Sequence, residues 1–538
     1  MPEAMDVPHG GISDLSTVPE TGTTVERASN PWERVGAGTV SGGLMMGDDV
    51  SAGPSAGAVL VLDTGGIQDW IIGHATELRH IRGGSNVVAK AFADLEQDLD
   101  TALGANTEPE DQGAPRKGWW RVIRSSGRLV AALPDLAAAH RARAISAARL
   151  AADVPGLEVT AGIAELGEGM GAFEQAVALA RRGATALVPV VLASHDLGAD
   201  TCEVSGVATA LDGRSGRDAD ARRATATRRR AVADEADPGT PGVVLERQMG
   251  SIGSATPSGR FSGYVGVVCA DGDGVGARFA TRRGARELHL ESELVHEAVE
   301  LAERTAYAAA AAAHGPRGEL PVNPVIRAGD DLRFVVPAHV ALEFAHGLAT
   351  GSTEVPISVG VLICHSGLPF ATAHDAASDL LDVAKADARH ALAMDHGDGP
   401  RIAFAVESGA GVRGQLLDRH VSASPYRPDE LKALLDLRLD VSTGQLRDVM
   451  AALRTGGRVA AREWALHRLE AVPGEVAGER YRALLAQLWS ALGCKDPEEP
   501  FPARRRRDSE AGELVACSPI GDLLLVTALR GSRSEVEA

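Results

Sequence analysis

The feature that most constrains this chain is a recurrence. One order of apolar runs, glycine breaks and helical stretches occurs twice, about two hundred residues apart. The first copy opens on Ala58-Val-Leu-Val-Leu-Asp63, an unbroken apolar run of the kind a buried strand shows, stopped by Gly65-Gly66. A helical stretch begins at Ile67, with Ile67, Ile71 and Ile72 near one face. A second glycine pair, Gly83-Gly84, precedes a helix predicted over 85–103. A hairpin fits 120–123 and 129–133 around Ser125-Ser126-Gly127. A helix over 136–152, a strand over 157–163, a helix over 171–182 and a closing strand over 187–192 complete the copy. The second copy has strands at 264–270, 325–326, 332–336, 357–364 and 402–406, and helices at 287–314, 340–348 and 370–394.

Strand, helix, hairpin, helix, strand is the ferredoxin-like split-βαβ plan used by polymerase palms and nucleotide cyclases. Two copies imply internal duplication. The expected fold is therefore α+β: two ferredoxin-like palm domains, at 57–197 and 259–421, joined by a linker or insertion over 198–258. Residues 1–56 are rich in Gly, Ser, Pro and Thr without apolar period, and read as disordered. Beyond 422 only helical periodicity remains, at 428–437, 441–454, 460–469 and 478–492, which predicts a C-terminal helical bundle over 422–538. Residues 495–511 read as loose and charged, and 520–529 as one last element.

Composition narrows the function classes. With aromatics at 4%, the cores must rest on Ala, Val and Leu. A formal charge of −19 argues against broad nucleic-acid binding by phosphate neutralisation. Arg228-Arg229-Arg230 reads as a solvated face or as a contact to RNA, and Arg504 to Arg507 is a second basic run. Five scattered cysteines without a Cys-x-x-Cys give no disulfide framework and no zinc site. No apolar run is long enough for a bilayer and no signal segment opens the chain, so a cytoplasmic location is expected.

The chemistry lies in the second copy. Asp271 and Asp273 follow an apolar strand as Ala-Asp-Gly-Asp-Gly, and Asp330 and Asp331 sit in a hairpin turn some sixty residues later. In a split-βαβ sheet the first strand lies beside that hairpin, so the acids can meet. Hard divalent ions need oxygen ligands, and crowded carboxylates repel one another without them. Two Mg²⁺ or Mn²⁺ ions are thus expected on Asp271, Asp330 and Asp331 as catalytic and metal-binding residues. Gly272, Asp273, Gly274 and Gly329 are candidate nucleotide contacts, because glycines let backbone amides approach phosphates. Lys385, on the helix after strand 357–364, is either a triphosphate contact or an exposed helix lysine. Gly-Asp-Asp alone is usually only a turn. Its pairing with Asp-x-Asp at corresponding points of one topology is what gives it weight.

These residues resemble a family. Leu62-Asp-Thr-Gly-Gly-Ile-Gln-Asp, continuing to Leu78-Arg-His-Ile-Arg-Gly-Gly-Ser85, is similar to the first palm of the large polymerase-like subunit of type III CRISPR effector complexes. Ala270-Asp-Gly-Asp-Gly-Val-Gly276 and Arg327-Ala-Gly-Asp-Asp-Leu332 resemble its second palm, the latter its Gly-Gly-Asp-Asp signature. The likeness spans about residues 58 to 410, and the helical tail from about 422 resembles the family's C-terminal helical domain. It implies that the second palm binds ATP and two metals, joins adenylates by 3′–5′ bonds and releases cyclic oligoadenylates in antiviral defence. It implies a non-catalytic first palm, and as partners the other subunits of the effector and its guide and target RNA. The chain departs from the family at Ala328, in place of the first signature glycine, at Gly274, in place of the usual asparagine, and in having no His-Asp nuclease domain. Three readings stay open: an oligoadenylate synthetase, a catalytically weak scaffold subunit, and a dinucleotide cyclase acting on GTP.

Overall fold

The computed structural model describes residues 57–72, 78–109, 115–125, 127–154, 157–167, 169, 171–187, 240–257, 261–393, 399–407, 424–436, 504–507, 514–517 and 520–530. The expected disordered segment at 1–56, Arg228–Arg230 and the helices expected at 441–454, 460–469 and 478–492 lie outside them.

The first palm runs β1 (Ala58–Gly65), α1 (Ile67–Ile72), α2 (Leu78–Leu103), β2 (Trp120–Ser125), β3 (Arg128–Leu133), α3 (Leu136–Asp153), β4 (Glu158–Glu165), α4 (Ala172–Arg182) and β5 (Thr185–Ala186). Asp135 caps α3 by accepting from the Ala138 amide. The strands pair in the order β2-β3-β1-β4-β5. Of the closing strand expected over 187–192 only Leu187 lies among the described residues; it follows β5 directly and its amide donates to Val159 O (2.7 Å). Gly83-Gly84 does not separate two helices: both glycines lie buried inside α2, which packs on the second palm. That packing outweighs the helix cost of glycine, about 1 kcal/mol each.

The second palm begins earlier than expected. Within the anticipated linker, β6 (Val243–Leu245) pairs in parallel with the strand Leu320–Ala328, and α5 (Met249–Ser254) buries Met249 and Ile252. Three residues of strand are too short a signal to read from periodicity. Then come β7 (Tyr264–Gly272), α6 (Val275–Thr281), α7 (Gly284–His314), β8 (Leu320–Ala328), β9 (Asp331–Pro337), α8 (Ala341–Thr350), β10 (Ile357–His365), α9 (Phe370–Ala393) and β11 (Ile402–Val406). The order is β11-β10-β7-β9-β8-β6. Its centre, β10-β7-β9-β8, repeats β4-β1-β3-β2.

The duplication holds residue by residue. Asp63 pairs with Arg128 and Thr160. Asp271 pairs with Ser358 and lies one step beyond the Ala270–Leu332 pair, opposite Asp331. Both hairpins close on a two-residue turn, Ser125 against Arg128 and Ala328 against Asp331. Both break register at one place, between Arg121 and Ile123 and between Pro324 and Ile326. Gly162 and Gly360 occupy equivalent points of β4 and β10. A Cβ on either would stand 1.8 Å from Ala180 O or 2.3 Å from Ala377 O, so each glycine admits the backbone of the following helix.

One apolar cluster fills the second palm under α7 and α8, where Ala302, Ala306 and Ala310 meet Phe334 and Phe344. The opposite sheet face is covered by α9 and α5 and by Ile71, Ile72 and Ile81 of the first palm, so both palms share a core. The described C-terminal helices, α10 (Pro428–Asp436) and α11 (Ile520–Arg530), belong to the cluster under α8 through Leu431, Leu434, Leu523 and Val526. Tyr426 donates to Asp522 there (2.5 Å). The run Arg504–Arg507, expected to be loose, is a strand, β12, paired antiparallel with β13 (Leu514–Cys517). Its four charges hide the strand from a hydropathy pattern. Among the described residues no helix is long and apolar enough to cross a membrane.

Candidate active site between the palms

β7 delivers Asp271 to the edge of the second sheet, and the β8–β9 hairpin delivers Asp330 and Asp331 beside it. Gly329 supplies the turn with φ +66°. Gly272 permits the approach: a Cβ there would stand 3.2 Å from Asp330 Cβ and 2.6 Å from Val275 Cγ2. Three carboxylates therefore stand on adjacent strand ends, all half-buried.

Two of them hold resident cations. Lys385, from α9, pairs with Asp271 Oδ2 and donates to Gly272 O (3.1 Å). Arg333, buried on β9, pairs with Asp331 Oδ1; its guanidinium also donates to Ala270 O (3.2 Å), Leu332 O (3.0 Å) and His374 Nε2 (3.2 Å). Asp331 Oδ2 accepts from Gln68 Nε2 (2.7 Å), a side chain of the first palm. Burial, aided by the charge of Asp271, pushes the Asp330 carboxyl up to about 7. Burial also raises Asp331, with Arg333 opposing.

The remaining expected contacts separate. Asp273 turns away: its carboxylate accepts from Ser358 Oγ (2.6 Å) and its amide donates to Pro356 O (2.8 Å), so it ties the turn to β10. Gly274 sits before α6 with φ +71°, its carbonyl accepting from Arg278 N (3.0 Å). Ala328 packs its methyl against the apolar cluster shared by the palms. Sequence reasoning did not single out Gln68 or Arg333. Gln68 lies in the Gly-Ile-Gln run that marked the first palm, and Arg333 is a charge inside the apolar run Leu332-Arg-Phe-Val-Val336.

A cavity of about 500 Å³ opens between the palms, with Asp63, Gln68 and Arg128 on one side and Ala328, Asp330 and Asp331 on the other. A second, of about 550 Å³, shares Ser125 and Gly127 and is lined by Lys90, Arg121, Arg124, Glu303 and Arg327. Among the described residues no three Asp, Glu, His or Cys side chains already converge as a metal cluster. The donor set nonetheless fits hard divalent ions: all oxygen, with Asp330 driven towards protonation by burial and, after it, by the charge of Asp271.

Residues 264–393 match the family model described as Cas10/Cmr2, second palm domain. That stretch is similar to a Cas10-type second palm. The chain as a whole has the fold of Csm1 structures. Csm1 of T. onnurineus aligns at 17% identity and TM-score 0.51, covering 88% of this chain and 69% of that one. A Csm1–Csm4 cassette in complex with cA4 aligns at 15% and TM-score 0.50, covering 89% and 70%. A Csm1–Csm4 cassette in complex with one ATP aligns at 15% and TM-score 0.51 over the same shares. No curated protein matches. The matched stretch contains Asp271, Gly272, Asp330, Asp331 and Lys385, while Gln68 reaches it from outside.

Proposed function

We propose that the cleft beside Asp271, Asp330 and Asp331 is a nucleotidyl-transfer site that joins ATP into cyclic oligoadenylates, in a subunit of a type III CRISPR effector. The observation that carries this reading is the meeting of Asp271, at the end of β7, with Asp330 and Asp331 of the β8–β9 hairpin, which line the inter-palm cavity. Matches to Csm1–Csm4 cassettes in complex with ATP, pppApA and cA4 support it.

Asp271, Asp330 and Asp331 would hold Mg²⁺ or Mn²⁺. Bound there, such ions lower the pKa of an attacking hydroxyl and stabilise departing pyrophosphate. The chain's own groups set the rest. Asp330 must lose its proton to serve as a ligand, and a neighbouring cation favours that loss. Lys385, released from Asp271, is placed to meet triphosphate oxygens with a flexible point charge. Arg333, buried on β9, favours the ionised form of Asp331 against the effect of burial and orients it. Partners of the Csm4 kind, with guide and target RNA, would complete the particle.

The test is incubation of the protein, alone and reconstituted with its effector subunits and target RNA, with Mn²⁺ and each labelled NTP. Cyclic oligoadenylate from ATP, absent with Asp330→Ala/Asp331→Ala, is the expected result. A product from GTP alone would favour the dinucleotide-cyclase reading. Absence of any product from the reconstituted particle overturns the enzymatic reading and leaves a scaffold.

A further inference from the structure

We infer that Gln68, a residue of the first palm, is a positioning residue for the acid centre of the second, fixing Asp331 in the orientation that accepts a divalent cation. The inference rests on the acid-centre reading above and extends it to a residue outside the matched second palm.

Its basis is geometric. Asp331 is gripped at both oxygens by donors of different origin. Oδ1 takes Arg333, itself fixed by two backbone carbonyls and His374. Oδ2 takes the Gln68 amide at 2.7 Å. A carboxylate held at both ends by hydrogen-bond donors cannot rotate freely, and a neutral amide orients it without the competing charge of a lysine or arginine.

Gln68 is placed by anchors on either side. α1 is six residues long, too short to persist unaided. Ile71 and Ile72 are buried in the cluster built mainly by β7, β8, β10 and α9 of the second palm. At its start, Trp70 N donates to Gly66 O (2.8 Å), and Thr64 is tied to the first hairpin through Gly127 O (2.9 Å). Gly127 has no room for a Cβ, which would stand 2.1 Å from Ile67 Cδ1, so hairpin tip and helix start interlock. The first palm's tip is thereby connected through Thr64, Ile67 and Gln68 to Asp331. The first palm, though lacking an acidic pair of its own, contributes one arm of the second palm's site.

The experiment compares the full chain with Gln68→Met, near-isosteric but without a donor, and with Asp331→Ala. Mn²⁺ binding is read by electron paramagnetic resonance, ATP turnover in the reconstituted particle by kcat and KM, and folding by thermal melting. Gln68→Met is expected to weaken Mn²⁺ about tenfold, the low end for loss of a ligand's supporting partner, with kcat falling by a similar factor and the melting curve unchanged. Unaltered Mn²⁺ affinity in Gln68→Met, beside clear binding by the parent chain and loss in Asp331→Ala, overturns the inference alone. Failure of the parent chain to bind Mn²⁺ overturns the acid-centre reading beneath it. If Gln68→Met melts early, Gln68→Asn, which keeps the amide one methylene short, decides: parent-like Mn²⁺ affinity with restored folding overturns the inference, and weakened affinity with restored folding supports it.

Discussion

The two palms share a backbone and differ in where they put charge. At the tip of the first, one carboxylate, Asp63, faces two guanidiniums: Arg128 (Nε–Oδ1 2.5 Å) and Arg181 (Nε–Oδ2 3.4 Å). At the tip of the second, three carboxylates face two cations, Lys385 and Arg333. Register makes the exchange specific. Asp63 corresponds to Asp271, Arg128 to Asp331, and Val130 to Arg333. The first palm thus carries a built-in cation where the second carries a carboxylate, and it lacks the buried arginine that orients that carboxylate. An excess of carboxylate attracts metal, and an excess of guanidinium repels it.

The sharpest break in that contrast is Asp331→Arg, which writes the first palm's tip into the second. Mn²⁺ binding should disappear and oligoadenylate formation should fall on the order of 10³-fold, with folding retained. Paired metal-binding and turnover assays read it. Turnover within tenfold of the parent would place the functional difference between the palms elsewhere.

The reverse exchange is Arg128→Asp, which sets two carboxylates at the first tip. It should add a divalent site of affinity on the order of millimolar. Without metal the fold should lose only about 1 kcal/mol, because Asp63 and Arg128 are both half-exposed and water screens their attraction. Urea melts with and without Mn²⁺ separate the two effects. Equal metal stoichiometry in parent and variant would show that Arg128 does not govern metal binding at the first tip.

This comparison was half legible in the sequence. Asp63, Asp271, Asp330 and Asp331 interrupt apolar runs, and an interruption at a strand end is visible without a structure. The doubled order of elements followed from the same signal. Arg128, Arg333 and Gln68 were not legible, because their meaning depends on which residue lies opposite in the sheet or across the cleft. Asp273 was misleading for a related reason: its spacing suggested a nucleotide contact, and its carboxylate is held by Ser358, eighty-five positions away. Gly83-Gly84 looked like a break because the pattern along one helix does not reveal the second palm packed on it.

A smaller difference lies at the far ends of the hairpins. Continuing the register past Pro134 and Pro337 places His339 where the first palm has Leu136. His339 is buried, with Nε2 3.0 Å from His314 Nδ1, and burial, His314 and Arg317 push it down to about 3. A folded-state pKa below the unfolded value near 6.5 means that neutral imidazole is preferred in the fold. Its contribution is complete above pH 6.5 and is lost as pH falls towards 3. Between pH 7 and 5 stability should drop by about 1–2 kcal/mol, and His339→Leu should abolish that part of the slope. Urea midpoints at the two pH values test it. An unchanged slope in the variant would mean that the imidazole pair is not the acid-sensitive element.

The smallest expected effect concerns the position that most clearly departs from the family signature. Ala328 closes the hairpin turn opposite Asp331, as Ser125 does opposite Arg128. Its methyl packs against the cluster containing Ile326, Val335 and Cys269 and so contributes to the wall rather than filling the cleft. Ala328→Gly should leave turnover within about twofold while costing roughly 0.5–1 kcal/mol through lost contact and added freedom in the unfolded chain. A large gain in turnover would instead mean that the methyl crowds the nucleotide, and that the second palm, like the first, has drifted from its most active form.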